Sequence, residues 1–166
     1  MTARKASSAG SQTKPGPTVP DIIEPLEEPR AALLGLLRDL ALSLPGVDER
    51  TVYDGFCSHW TPAYYLGDKQ LFHVHNFKRG LRASMFVSVR SLEPLILDSE
   101  QVDEELRQQL VQTSGNRGTK MFKVAVDAPE DVDAFRELVL IKWKLAKDEQ
   151  GVTGRSFRRR SPAPLR

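Results

Sequence analysis

The sequence predicts an α+β domain, an antiparallel sheet of about four strands with helices packed on one of its faces, in the order α-β-β-β-α-β-α. Three observations carry this expectation. Leucines recur at helical spacing early in the chain, and apolar residues do so again towards its end. Between them, three extended runs follow one another with only short turn signals separating them. A fourth run is reached through a second amphipathic helix. Strands joined by tight turns are antiparallel neighbours, because parallel pairing needs a long crossover, and helices not interleaved with every strand gather on one face.

The first helix is set by Leu33, Leu36, Leu37, Leu40, Ala41 and Leu44, and Pro45-Gly46 ends it. The extended runs are 58–66 (SHWTPAYYL), 69–77 (KQLFHVHNF) and 82–90 (RASMFVSVR), with Gly67-Asp68 and Lys78-Arg79-Gly80 as turns. Ser99 precedes EQVDEELRQQLVQ, which puts Val102, Leu106 and Leu110 on one side and acids in its first turn. The GNRG stretch at 115–118 has glycines but no P-loop lysine, so it reads as a helix end and turn. TKMFKVAV alternates to place Phe122, Val124 and Val126 on one face. Asp127-Ala128-Pro129-Glu130 starts the last helix, whose Val132, Phe135, Leu138, Val139, Ile141, Trp143 and Leu145 form a wide apolar face.

Composition divides the chain into three parts. Residues 1–29 contain Pro15, Pro17, Pro20, Pro25 and Pro29 among Ser, Gly, Lys and Thr, a mixture expected to stay a disordered tail because it buries too little apolar surface to offset chain entropy. Residues 30–148 are expected to form a single domain, and 149–166 a second, basic tail. The net charge of +2 is unevenly spread: residues 1–20 carry +3 and residues 151–166 carry +5, leaving the segment between them at −6. An acidic middle is a poor surface for phosphate backbones, so nucleic acid is expected, if at all, only through Arg155, Arg158, Arg159 and Arg160 of the SFRRRSP region.

Other classes are excluded by absent signals. One cysteine, Cys57, forms no internal disulfide, and the start of the chain lacks the apolar core of a secretory signal, which sets the cytoplasm as the expected location. The longest apolar stretch, AALLGLLRDLALSL, is interrupted by Arg38 and Asp39 and falls short of the ~20 residues that cross a bilayer. No cofactor motif is present and none is expected. Ser84, Ser88 and Cys57 sit in no Gly-x-Ser-x-Gly elbow.

The stretch most open to chemistry is QLFHVHNF. Alternation along a strand points His73 and His75 to the same face, with Cα atoms about 6.5–7 Å apart. Two ligands of one metal fit that spacing, but a third is needed, and the nearest candidates are Cys57 and His59. If Gly67-Asp68 closes a two-residue hairpin, Trp60 faces His75 and Pro62 faces His73, while His59 points away unless a bulge brings it round. No metal is expected on that register, which instead gathers Trp60, Tyr64, His73 and His75 as the candidate ligand-binding set. The same four residues would also serve as the polar-edged core of a covered sheet. The expected function is a small binding or interaction module without enzymatic activity. The alternatives are a metal- or ligand-binding enzyme centred on His73 and His75, and non-specific nucleic-acid binding by the arginine-rich end.

LPGV after a leucine-rich helix, PAYYLGDKQLF in the first hairpin and the closing APEDVDAFRELVLIKWK resemble the small bacterial α+β families of unknown function related to YdhG-like and MmcQ/YjbR-like proteins. HVH followed by a glycine turn and a strand resembles the bacterial luciferase-domain family. The likeness covers roughly residues 33–145. It implies a compact α+β domain and carries over no active site.

Overall fold

The computed structural model describes residues 15–156, with side chains up to Gly151. Eleven elements follow in order: α1 (Val19–Ile23), α2 (Arg30–Leu42), β1 (Val47–Asp54), β2 (His59–Leu66), β3 (Lys69–Phe77), β4 (Gly80–Ser88), α3 (Leu92–Leu97), α4 (Glu104–Gln112), β5 (Gly115–Asn116), β6 (Thr119–Val126) and α5 (Pro129–Ser156). The class is α+β as expected, with six strands in place of four. They form one antiparallel sheet in the order β1-β2-β3-β4-β6-β5.

The extra elements have physical reasons for their weak signals. β1 (VDERTVYD) is an edge strand with no fully buried residue, so no apolar alternation marks it. β5 forms a tight hairpin with β6, turning through Arg117 (φ 52°) and Gly118 (φ 77°). Two successive left-handed residues match the strand twist, and the second is glycine, which adopts that conformation without a Cβ clash. α3 is one short helix containing Pro94, and its Leu92 and Ile96 enter the core.

The expected tail over 1–29 requires correction in its second half. Residues 1–14 lie outside the described residues, but Thr18 and Asp21 form a reciprocal capping box on α1. Val19 is buried, and Ile22, Ile23 and Leu26 pack against the core. The spacing 19, 22, 23, 26 is helical, and the surrounding prolines hide it. At the other end α5 continues through residue 156, so the helix takes in the start of the expected basic tail.

The core lies between the sheet and the helices. Leu33, Leu34, Leu37, Leu40 and Ala41 of α2 and Phe135, Leu138 and Val139 of α5 cover Tyr64, Phe72, Val74, Leu81, Met85, Phe122 and Val124 of the sheet. Phe135 packs edge-on against Phe72, with ring centroids 5.2 Å apart. Each such side chain contributes about 1.5–3 kcal/mol by leaving water. At the margin of this layer Lys120 and Glu93, both largely buried, are paired at 2.6 Å, and Lys120 also donates to the Leu110 carbonyl. No helix among the described residues is long and apolar enough to cross a membrane.

One irregularity decides which residues share a face. Leu66 pairs with Lys69 and Tyr65 with Gln70, as a two-residue hairpin requires, but Tyr64 then pairs with Phe72 and Ala63 with His73. Leu71 is therefore a bulge, and it turns inward beside Phe72, fully buried. Beyond it the register is displaced by one residue and every later side chain changes face relative to β2. At that end β3 and β4 also stop pairing, since their ladder begins only at His73–Ser84. The Phe86 carbonyl so released accepts a 2.7 Å hydrogen bond from Lys142 of α5.

Candidate functional site

The displaced register separates the four residues expected to act together. Tyr64 pairs with Phe72 and lies on the helix face, wholly buried in the core, where desolvation and the neighbouring Glu49 push its phenol pKa up. Trp60 shares that side. Its ring stacks edge-on against Tyr53 at 5.6 Å, and residue 16 lies so close that a Cβ there would meet the indole at 2.6 Å. His73 and His75 instead face the side of the sheet that no helix among the described residues covers, opposite Ser84 and Arg82 of β4. Trp60 and Tyr64 thus leave the candidate set, because a bulge of one residue reverses the facing of a whole strand.

On that uncovered side the sheet forms a cleft of about 400 Å³ lined by Val52, Thr61, Gln70, His73, His75, Phe77, Phe86, Met121 and Lys123, with Asp54 at the end of β1 and Phe56 of the turn after it at one end. The two imidazoles are its floor, 7% and 4% exposed. They meet edge-on at 4.6 Å between ring centroids. Phe77 stacks on His75 at 4.9 Å and Phe86 lies against His73 at 5.7 Å, so aromatic faces flank both rings. Lys123 reaches over the Phe77 ring at 5.6 Å.

Each histidine has a defined partner set. His73 Nδ1 lies 2.8 Å from the Gln70 side-chain oxygen, and the Gln70 amide nitrogen in turn donates to the Tyr65 hydroxyl at 2.9 Å. A carbonyl oxygen only accepts, so the ring proton of His73 sits on Nδ1 and Nε2 carries a lone pair. Burial, and next the neighbouring His75, lower the His73 pKa to about 4, which keeps the ring neutral at physiological pH. His75 is held from both ends, by Ser84 Oγ at 3.2 Å on Nδ1 and Asp54 Oδ2 at 2.8 Å on Nε2. Asp54 also accepts from the Phe56 backbone N–H on its other oxygen at 2.8 Å. These bonds, His75 first, bring the Asp54 carboxyl down to about 2.

Ser84, His75 and Asp54 form a hydroxyl–imidazole–carboxylate chain, but Ser84 is fully buried beneath the rings, so its hydroxyl orients His75 and meets no incoming carbonyl. Cys57 follows Asp54 by three residues, and the donor atoms of Asp54, Cys57 and His75 all lie within 4.8 Å of one another. His59, the other residue weighed as a third ligand, is exposed and outside that group. Of the four arginines assigned to nucleic acid, Arg155 falls in the last turn of α5, and Arg158, Arg159 and Arg160 lie outside the described residues.

Sequence reasoning missed Asp54, Gln70, Phe86 and Lys123 as companions of the histidines. The one available signal was Asp54-Gly55, a turn dipeptide that marks the end of β1. A second hollow, about 270 Å³, opens where β3 and β4 part, lined by Gln70, Phe86, Leu145 and Lys142, whose amine is occupied by the Phe86 carbonyl. No family profile, curated protein or solved structure matches the chain.

Proposed function

We propose that this protein is a small ligand-binding module whose ligand lies on the helix-free face of the sheet, in the cleft floored by His73 and His75. The observation that carries this reading is the pair of imidazoles themselves: they are buried, flanked by aromatic rings, and placed on the face that packs against no helix among the described residues. A sheet face that served only for stability would turn charged and small polar groups outward. Here a concave, mostly apolar surface holds a few convergent polar groups, the arrangement typical of small-molecule sites.

The lining also suggests the class of ligand. Phe77, Phe86 and the edges of the histidines form a slot for a planar ring. The lone pair on His73 Nε2 accepts a hydrogen bond from an N–H or O–H of that ring, and Lys123 at the rim attracts an anionic substituent. A planar aromatic carboxylate with a ring N–H, such as indole-3-carboxylate, is therefore the appropriate probe. Titrated into ¹⁵N-labelled protein, it is expected to shift the backbone amides of Val52, His73, Phe86 and Lys123. Phe86→Ala and Lys123→Ala are each expected to weaken it about tenfold, the equivalent of about 1.4 kcal/mol. Shifts confined to the helix side around Leu34 and Trp60, or none at millimolar probe, would overturn the reading.

A further inference from the structure

We propose that Asp54, Cys57 and His75 form a zinc site at the end of the cleft. Three different side-chain donors, a carboxylate oxygen, a thiol sulfur and an imidazole nitrogen, converge within 4.8 Å. They come from two places in the chain: Asp54, the last residue of β1, with Cys57 three residues on in the turn that follows, and His75 from β3, where it pairs with Arg82 of β4. Tetrahedral zinc with bonds of about 2.0–2.3 Å needs its donors roughly 3.3–3.7 Å apart. The Asp54–His75 pair, at 2.8 Å, has to open slightly, and the thiol, no more than 4.8 Å from the other two donors, has to move in by up to about 1.5 Å. That movement falls on the turn between β1 and β2, where Phe56 and Ser58 are exposed.

Two features beyond the donors favour a cation there. Ser84 Oγ sits on His75 Nδ1, so when the metal takes Nε2 the ring proton that Nε2 gives to Asp54 moves by way of solvent to Nδ1, where the hydroxyl oxygen accepts it, the outer contact that fixes a ligating histidine. The Phe56 N–H holds one Asp54 oxygen and aims the other at His75. On binding, the thiol releases its proton to solvent and the thiolate, carboxylate and neutral imidazole complete three bonds. The mixed N, O, S set suits a borderline cation such as zinc better than magnesium or calcium, which take oxygen ligands. Three protein ligands leave a fourth position for water or for a donor atom of a molecule in the cleft. The site differs from the His73–His75 pair that strand alternation alone suggests, because His73 is bonded to Gln70 and lies outside the group.

The test is zinc titration of the untagged full-length chain against a chromophoric chelator, with circular dichroism confirming the fold of every variant. One equivalent is expected, tighter than micromolar. Cys57→Ser in the β1–β2 turn and Asp54→Asn at the end of β1 should each weaken it about tenfold or more, and His75→Ala should abolish it, whereas His73→Ala should retain it. Cobalt in place of zinc should show a thiolate charge-transfer band that Cys57→Ser removes. Should His75→Ala fail to fold, the Cys57 and Asp54 variants decide the matter. Absence of one-to-one zinc binding by folded wild-type protein, or undiminished affinity in Cys57→Ser, overturns the proposal. Indole-3-carboxylate titrated in the presence of a chelator tests the cleft separately, so failure of one reading is distinguishable from failure of the other.

Discussion

Lys142 is expected to make this protein more stable as the pH is raised above neutrality. Its ammonium lies under the sheet where β3 and β4 part, 7% exposed, and donates to the Phe86 carbonyl at 2.7 Å. Burial, reinforced by the nearby Lys69 and opposed by Glu149, lowers its pKa from 10.5 to about 8. Because the folded value lies below the unfolded one, the charged form is penalised in the fold. Below pH 8 both states are protonated and the full penalty stands. Between pH 8 and 10.5 the folded protein loses the proton first and stability rises. Above 10.5 the penalty is gone. At about 1.4 kcal/mol per pKa unit, the penalty is about 3 kcal/mol. Lys142→Met removes it but leaves the Phe86 carbonyl without its donor, a loss of about 1.5–3 kcal/mol for a charged bond, so the variant should be between as stable as wild type and about 1.5 kcal/mol more stable at pH 7. Urea unfolding followed by tryptophan fluorescence at pH 7, 8, 9 and 10 measures both proteins. The wild-type value minus the variant value should climb by 2 to 3 kcal/mol across that range on the order of the shift. A difference that stays flat or falls would refute the account of Lys142 as a buried cation with a lowered pKa.

The Lys120–Glu93 pair yields a double-mutant cycle: Lys120→Met alone should cost about 3–5 kcal/mol by stranding a largely buried carboxylate, while Lys120→Met with Glu93→Leu should come within about 1 kcal/mol of wild type, read from thermal or urea unfolding. Equal losses in the single and double variants would show that the lysine's packing, and not the pairing, carries the effect. For the arginine-rich end, a chain stopping at Gln150 should fold as the full chain does and lose whatever nucleic-acid affinity the full chain has at low salt, measured by fluorescence anisotropy with a single-stranded oligonucleotide. Retained affinity would place the contacts on the folded domain.

What the linear sequence determined about this protein is its local structure. The leucines of α2, the apolar face of α5 and the alternation in β3, β4 and β6 are periodicities of 3.6 and 2, and they placed these elements because each depends only on neighbours along the chain. β1 escaped notice because an edge strand with little burial has no such period, and α1 because prolines mask a short helical spacing. The histidines, too, could be seen from the sequence to share a face. Which face that is, and with whom they share it, was decided by the tertiary structure. The Leu71 bulge displaces the β2–β3 register by one residue, sending Tyr64 and Trp60 to the helix side and leaving His73 and His75 on the open one. Asp54 and Cys57 meet His75 only through the curl of the β1–β2 turn, about twenty residues away along the chain, and no pattern along the chain records that distance. Side-chain alternation has a period of two, so a single unpaired residue is enough to exchange the core for the cleft.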